Sequence, residues 1–131
     1  MIVDASAVLA ILFAEPDAER FTLALSHARP RAMSAVNWME AAIAVDRRGR
    51  PGASEQFDRL IKQGHIEVVA YTPEHAALAR KAYFAWGKGR HPAALNMGDC
   101  AAYALAQSRG EPLLFKGNDF PLTDIEPALK D

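Results

Sequence analysis

Met1-Ile2-Val3-Asp4-Ala5-Ser6-Ala7-Val8-Leu9-Ala10 runs an apolar segment into an acid, and the acid into an alanine-rich helical pattern. Ile2-Val3 reads as a strand and 5–13 as a helix that Asp4 is able to cap. Working outward, Ala32-Met33, Ile66–Ala70 and Pro112–Phe115 also read as strands. Helical periodicity covers 17–27, 35–48, 53–63, 74–87 and 98–109. Thr72-Pro73-Glu74 is a helix start, with a hydroxyl cap, a proline in the first turn and an acid near the positive end. Ser34 suits the cap of the following helix, and Gly110 suits the end of the last one. Strands alternating with helices predict an α/β fold with a mainly parallel central sheet of four or five strands. Twenty-six alanines predict close packing of helices on that sheet. No repeat, low-complexity tract or linker divides the sequence, so residues 1–131 are expected to form one domain.

At 131 residues, 50% of them hydrophobic, the chain can bury a core without disulfides or a structural metal. Disordered, collagen-like and disulfide-scaffold classes are excluded by the same composition. Cys100 is the single cysteine, which points to a reducing compartment. Met1–Asp4 leaves no room for the apolar region of a secretory leader. No apolar stretch reaches the ~18–20 residues of a membrane span. A cytoplasmic protein without a membrane partner is the expectation. The net charge of -1 argues, taken as a total, against a nucleic-acid partner.

The positions of the acids change that argument. Asp4 ends an apolar strand. Glu40 stands four residues after Val36 and three before Ile43, which predicts a place on the apolar face of its helix. Asp99 follows Gly98 in the first turn of an apolar helix, and Asp119 follows the last strand. Residues just beyond the carboxyl ends of parallel strands converge on one crevice. Carboxylates gathered there resist joint ionisation, and a divalent cation removes the conflict. An all-oxygen ligand set favours Mg²⁺ or Mn²⁺ over zinc. His27, His65, His75 and His91 share no metal-ligand spacing. Taken singly, Asp4 reads equally well as a helix cap, Asp99 as a charge at a helix N-terminus, and Glu40 as half of a buried ion pair.

Four segments together carry a resemblance: Met1–Ala10, the apolar helix around Glu40, Asn96-Met-Gly-Asp99-Cys-Ala-Ala-Tyr-Ala-Leu-Ala, and Leu113-Leu-Phe-Lys-Gly-Asn-Asp119-Phe120. In order and spacing they resemble the PIN-domain ribonucleases, and among these the VapC-type toxins of bacterial toxin–antitoxin pairs. The likeness spans essentially the whole chain. It implies a three-layer α/β/α fold and a Mg²⁺- or Mn²⁺-dependent endoribonuclease that cuts RNA phosphodiesters. It also implies a VapB-type antitoxin that holds the enzyme inactive, and a homodimer. Carried onto this sequence, Asp4 and Asp99 match the main metal-binding acids, and Glu40 the acid that completes the site. Ser6 matches a small hydroxyl that positions the first Asp. The last motif departs from the pattern: Gly117 stands where many relatives have another acid or Asn. Asp119 is then the only acid of that segment, with Asn118 as a neutral neighbour.

Asp4, Glu40, Asp99 and Asp119 are therefore the expected catalytic residues, with Ser6, Asn118 and Lys116 supporting them. Lys116 is placed to meet a substrate phosphate or the carboxylates, and reads equally well as a solvated surface lysine. Arg47 and Arg48, and Lys88 and Arg90 in the loop before Asp99, are the expected RNA grip. The arginine pair also suits the C-terminal end of its own helix. Tyr83 and Phe84 read as core or dimer interface before base stacking, and Trp38 as packing. Three other classes remain in view. A catalytically silent PIN-like binding module would keep the fold without the chemistry. A receiver-type phosphoacceptor would need a strand before Asp58, and an aspartyl phosphatase a second Asp where Ser6 stands.

Overall fold

The structure, a computed structural model, describes residues 1–28 and 30–130. Four strands form one sheet: β1 (Ile2–Val3), β2 (Arg31–Ser34), β3 (Ile66–Val69) and β4 (Leu113–Leu114). All pair in parallel, in the order β3-β2-β1-β4. Six helices connect them: α1 (Ala5–Leu12), α2 (Ala18–His27), α3 (Ala35–Arg48), α4 (Ala53–Gln63), α5 (Pro73–Trp86) and α6 (Met97–Arg109). A short 3₁₀ turn at Phe120–Leu122, which periodicity does not foretell, follows β4.

Side-chain alternation along the strands sorts the core into two halves. Ile2, Ala32 and Leu113 point into one half with α5 and α6, while Val3, Met33 and Leu114 point into the other with α1 to α4. Both faces of the sheet are thus covered, which is why consecutive positions of β1 (Ile2, Val3) and β4 (Leu113, Leu114) are apolar and buried. Helix α6 buries Cys100, Ala102, Ala104 and Ala106 in one cluster with Ile2, Ala32 and Leu113 of the sheet and Ala79 and Ala82 of α5, so its small side chains serve close packing on both neighbours. The three-layer α/β/α arrangement matches the expectation from sequence.

The expected caps hold. Ser34 accepts from Val36 N–H at 3.2 Å and Thr72 from His75 N–H at 3.1 Å. Gly110 ends α6 in the left-handed region at φ 62°, where a side chain is disfavoured. The order of the sheet reverses between β1 and β4, because the chain leaves β1 toward β2 and β3 and then returns past both. In parallel sheets that reversal opens a crevice at the carboxyl edge. Asp4 ends β1 there, and Lys116–Asp119 leave β4 there.

Candidate active site

Asp4 is the N-cap of α1 and is only 4% exposed. Its Oδ2 accepts the Ser6 hydroxyl at 2.5 Å and the Ser6 N–H at 3.1 Å. Its Oδ1 is buried and takes no hydrogen bond. The two Ser6 bonds favour the ionised form, but burial outweighs them, and the charges of Asp99 and Glu40 act in the same direction as burial. The Asp4 carboxyl is pushed up to about 7. Ser6 Oγ in turn accepts the Lys116 main-chain N–H at 2.9 Å, which ties the end of β4 to the start of α1.

Asp99 is fixed by a reciprocal capping box. Asn96 Oδ1 accepts Asp99 N–H at 2.8 Å, and Asp99 Oδ2 accepts Asn96 N–H at 3.0 Å. Partial burial and the nearby Asp119 charge raise its carboxyl above the ordinary range against that hydrogen bond. Glu40 is raised as well, first by partial burial and then by the Asp99 charge, while Asn37 opposes the shift. The Asp99 charge thus acts on both Asp4 and Glu40, and the Asp119 charge on Asp99. Asp119 is exposed and opens the 3₁₀ turn without a side-chain cap bond.

Glu40 departs from its expected surroundings. The buried face of α3 is Asn37, Ala41 and Val45, one helical stripe over from Glu40. Val36, Glu40, Ile43 and Arg47 instead line a surface groove of about 410 Å³ that ends at Met97 and Gly98. The apolar neighbours of Glu40 are a groove wall, not core. Two residues that sequence reasoning passed over hold Glu40 there. Fully buried Asn37 donates to Glu40 Oε1 at 3.3 Å and to the Gly98 carbonyl at 2.9 Å, clamping α3 to α6. Gly98 leaves the room: a Cβ there would lie 2.5 Å from Glu40 Oε2. Asn96, three residues before Asp99, carried a sequence signature of its own as half of a capping box.

Lys116 does not face the four acids. Its Nζ pairs with Glu15 and, at 3.2 Å, with Asp17, because the turn after α1 places both carboxylates beside the end of β4. Its support of the site runs through the main-chain bond to Ser6. Asn118 lies exposed in the same loop and lines a neighbouring cleft of about 400 Å³. Of the expected cations, Arg47 shares the groove with Glu40, while the Arg48 guanidinium sits 3.9 Å over the Phe13 ring. Lys88 lines a cleft that reaches Asn96, and Arg90 lies 4.4 Å over the Phe84 ring. Asp58 falls within α4, so the receiver alternative lacks its strand-end phosphoacceptor.

An unpartnered buried carboxylate oxygen among coupled acids fits a hard divalent cation. Among the described residues, no three His, Cys, Asp or Glu side chains are pre-arranged to hold an ion. Carboxylate oxygens are hard donors of the kind that hold Mg²⁺, one or two at a time, with water and phosphate oxygens completing the shell.

The PIN domain model matches residues 1–126. The chain belongs to the PIN-domain family. Among curated relatives, Ribonuclease VapC28 of Mycobacterium tuberculosis is 47% identical over 130 residues, covering 98% of each chain. The fold is similar to that of Mycobacterium tuberculosis VapC20, described as a sarcin–ricin loop cleaving toxin, with a TM-score of 0.76 at 15% identity and 95% of each chain covered. A toxin–antitoxin complex from Klebsiella pneumoniae matches with a TM-score of 0.66 at 19% identity, covering 91% of this chain and 88% of that one. The VapC-type resemblance carried by the four sequence segments is thus matched along nearly the whole PIN domain.

Proposed function

We propose that this chain is a Mg²⁺- or Mn²⁺-dependent endoribonuclease and the toxin of a VapBC-type pair. One observation carries the reading: Asp4 is buried at a strand end, with one oxygen fixed and the other unpartnered, among three further acids. Family membership and 47% identity to a named ribonuclease support it.

Asp4, Asp99 and Glu40 are the residues that would hold the ion. When bound, such an ion polarises a phosphate and lowers the pKa of a water. Ser6 holds Asp4 Oδ2, which leaves Oδ1 as the oxygen to offer a cation. The capping box fixes Asp99 through one oxygen, and Asn37 sets the reach of Glu40 from α3. Asp119, exposed and close enough for its charge to act on Asp99, is left to orient a water and accept its proton. Arg47 lies in the groove that holds Glu40, Lys88 in the cleft that reaches Asn96, and both serve to position the RNA backbone. A VapB-type antitoxin, a homodimer and a cytoplasmic setting belong to the same proposal, with the Klebsiella pneumoniae complex as its structural parallel.

The test is cleavage of end-labelled RNA with Mg²⁺, with Mn²⁺ and with EDTA. Metal-dependent cleavage, abolished by EDTA and reduced at least ~100-fold in Asp99→Asn, is expected. Cleavage that survives EDTA, or that Asp99→Asn leaves unchanged, contradicts the reading. Charge-neutral variants of Lys88 and Arg47 are expected to weaken RNA binding and flatten its salt dependence.

A further inference from the structure

A cleft of about 530 Å³ separates α5 from the start of α6, and its chemistry differs from that of the acidic crevice. Arg80 and Lys88 stand in its lining, together with Tyr71 and Tyr83, and among the described residues no carboxylate does. Both tyrosines are part-exposed, at 37% and 38%. Ala76, Ala79 and Cys100 form a floor of small side chains, which is what leaves the room.

Tyr83 is held before any ligand arrives. Its hydroxyl donates to the Lys88 carbonyl at 3.1 Å. Its ring lies so close to Gly87 that a Cβ there would come within 2.7 Å of Cδ2. An aromatic ring fixed on one side and open on the other is a stacking platform whose ordering entropy is already spent. Asn96 connects the cleft to the catalytic group, since it lines the cleft and caps Asp99.

We propose that this cleft is a nucleotide subsite for single-stranded RNA, in which a base stacks on Tyr83 and the flanking phosphates meet Arg80 and Lys88. The inference rests on the ribonuclease reading and extends it to a place where the substrate is gripped. Stacking on an aromatic beside paired cations is the common chemistry of single-strand binding. The same strip continues outward: Arg80, Tyr83 and Lys88 also border a shallower groove with Phe84 and Arg90. Neighbouring nucleotides have a path along it. Arg80 and Lys88 complement the phosphates of a polyanion, while Tyr83 and the exposed Met97 beside them offer the apolar surface a base stacks on.

The experiment measures binding of a fluorescein-labelled RNA oligonucleotide, with Ca²⁺ in place of Mg²⁺, to the wild type and to Tyr83→Leu, Tyr83→Phe and Arg80→Gln. Tyr83→Leu is expected to bind at least ~10-fold more weakly with an unchanged salt slope, and Tyr83→Phe, which keeps the ring and loses the hydroxyl bond, to fall between Tyr83→Leu and wild type. Arg80→Gln is expected to lower the salt slope by about 0.7. A scan with one abasic nucleotide should find a register that weakens the wild type and leaves Tyr83→Leu indifferent. Natively folded Tyr83→Leu with wild-type affinity and abasic profile overturns the subsite while leaving the ribonuclease intact. The subsite also falls if Tyr83→Leu converts a dimer to a monomer without altering RNA affinity, because the cleft then belongs to a second copy. Absence of RNA binding and of cleavage in the wild type overturns both proposals.

Discussion

Asp4 differs from a surface aspartate in having one oxygen bonded twice to Ser6 and the other buried without a partner. Ionising it without a cation is costly, and the charges of Asp99 and Glu40 add to that cost. Asp4→Asn keeps the shape and removes the charge. At pH 8 the metal-free variant is therefore expected to melt at or above the wild-type temperature while cleavage falls at least ~100-fold. At pH 5, where the wild-type carboxyl is protonated, the two melting temperatures should converge. A variant that melts well below wild type at pH 8 would contradict this. Gly98→Ala tests the room given to Glu40. Alanine is the better helix former by roughly 1 kcal/mol, and the clash falls on the tip of a flexible side chain. Thermal melts should show unchanged or raised stability, and kinetics a ~10- to 100-fold loss of cleavage. Lost stability with full activity would show that Glu40 does not need that space.

Two elements, α3 and α6, come from opposite layers and meet through Asn37, whose amide bridges Glu40 and the Gly98 carbonyl. Asn37→Ala strips a buried acceptor of its donor and should cost about 1–3 kcal/mol in urea unfolding. The relay from Lys116 N–H through Ser6 to Asp4 makes a sharper distinction. Lys116→Ala keeps the main-chain donor and loses only surface pairs with Glu15 and Asp17, so a change under about 1 kcal/mol and near-normal cleavage are expected. Ser6→Ala breaks the relay and should lower cleavage with folding intact. Equal effects of the two variants would argue against it. At this scale the sequence was legible wherever a local signal existed. Strand–helix junctions and the caps at Asp4, Ser34, Thr72 and Gly110 follow from short patterns. Spacing predicts an apolar face for Glu40 because it shows a stripe without showing which stripe meets the sheet. Asn37 and Gly98 act through contacts across 61 residues, and the Lys116 ion pairs depend on a turn meeting a distant strand. Nothing local announces such pairings.

For the whole molecule, the near-zero net charge is the sum of an acidic crevice and a remainder that is net basic once the four acids are set aside. No described helix is long and apolar enough to cross a membrane. The crevice also sets a pH dependence. Because Asp4 has a folded pKa raised from 3.8 to about 7, its contribution favours the folded state fully below about 4 and is lost as pH rises through 7. Glu40 and Asp99 shift in the same direction. The Asp4 contribution alone corresponds to about 4 kcal/mol. Metal-free protein should therefore melt at lower temperature at pH 8 than at pH 5, and Mg²⁺ should restore most of the difference. A melting temperature that rises over this interval without metal would show that the acids are not coupled as described. The most direct test of the carboxylate group as a divalent-cation site is calorimetric titration of Mn²⁺ at pH 6.5 in two buffers of different ionisation enthalpy. Saturable binding with proton release, weakened at least ~10-fold in Asp4→Asn, is the predicted result. Equal Mn²⁺ binding by the wild type and Asp4→Asn, or none by either, would contradict it.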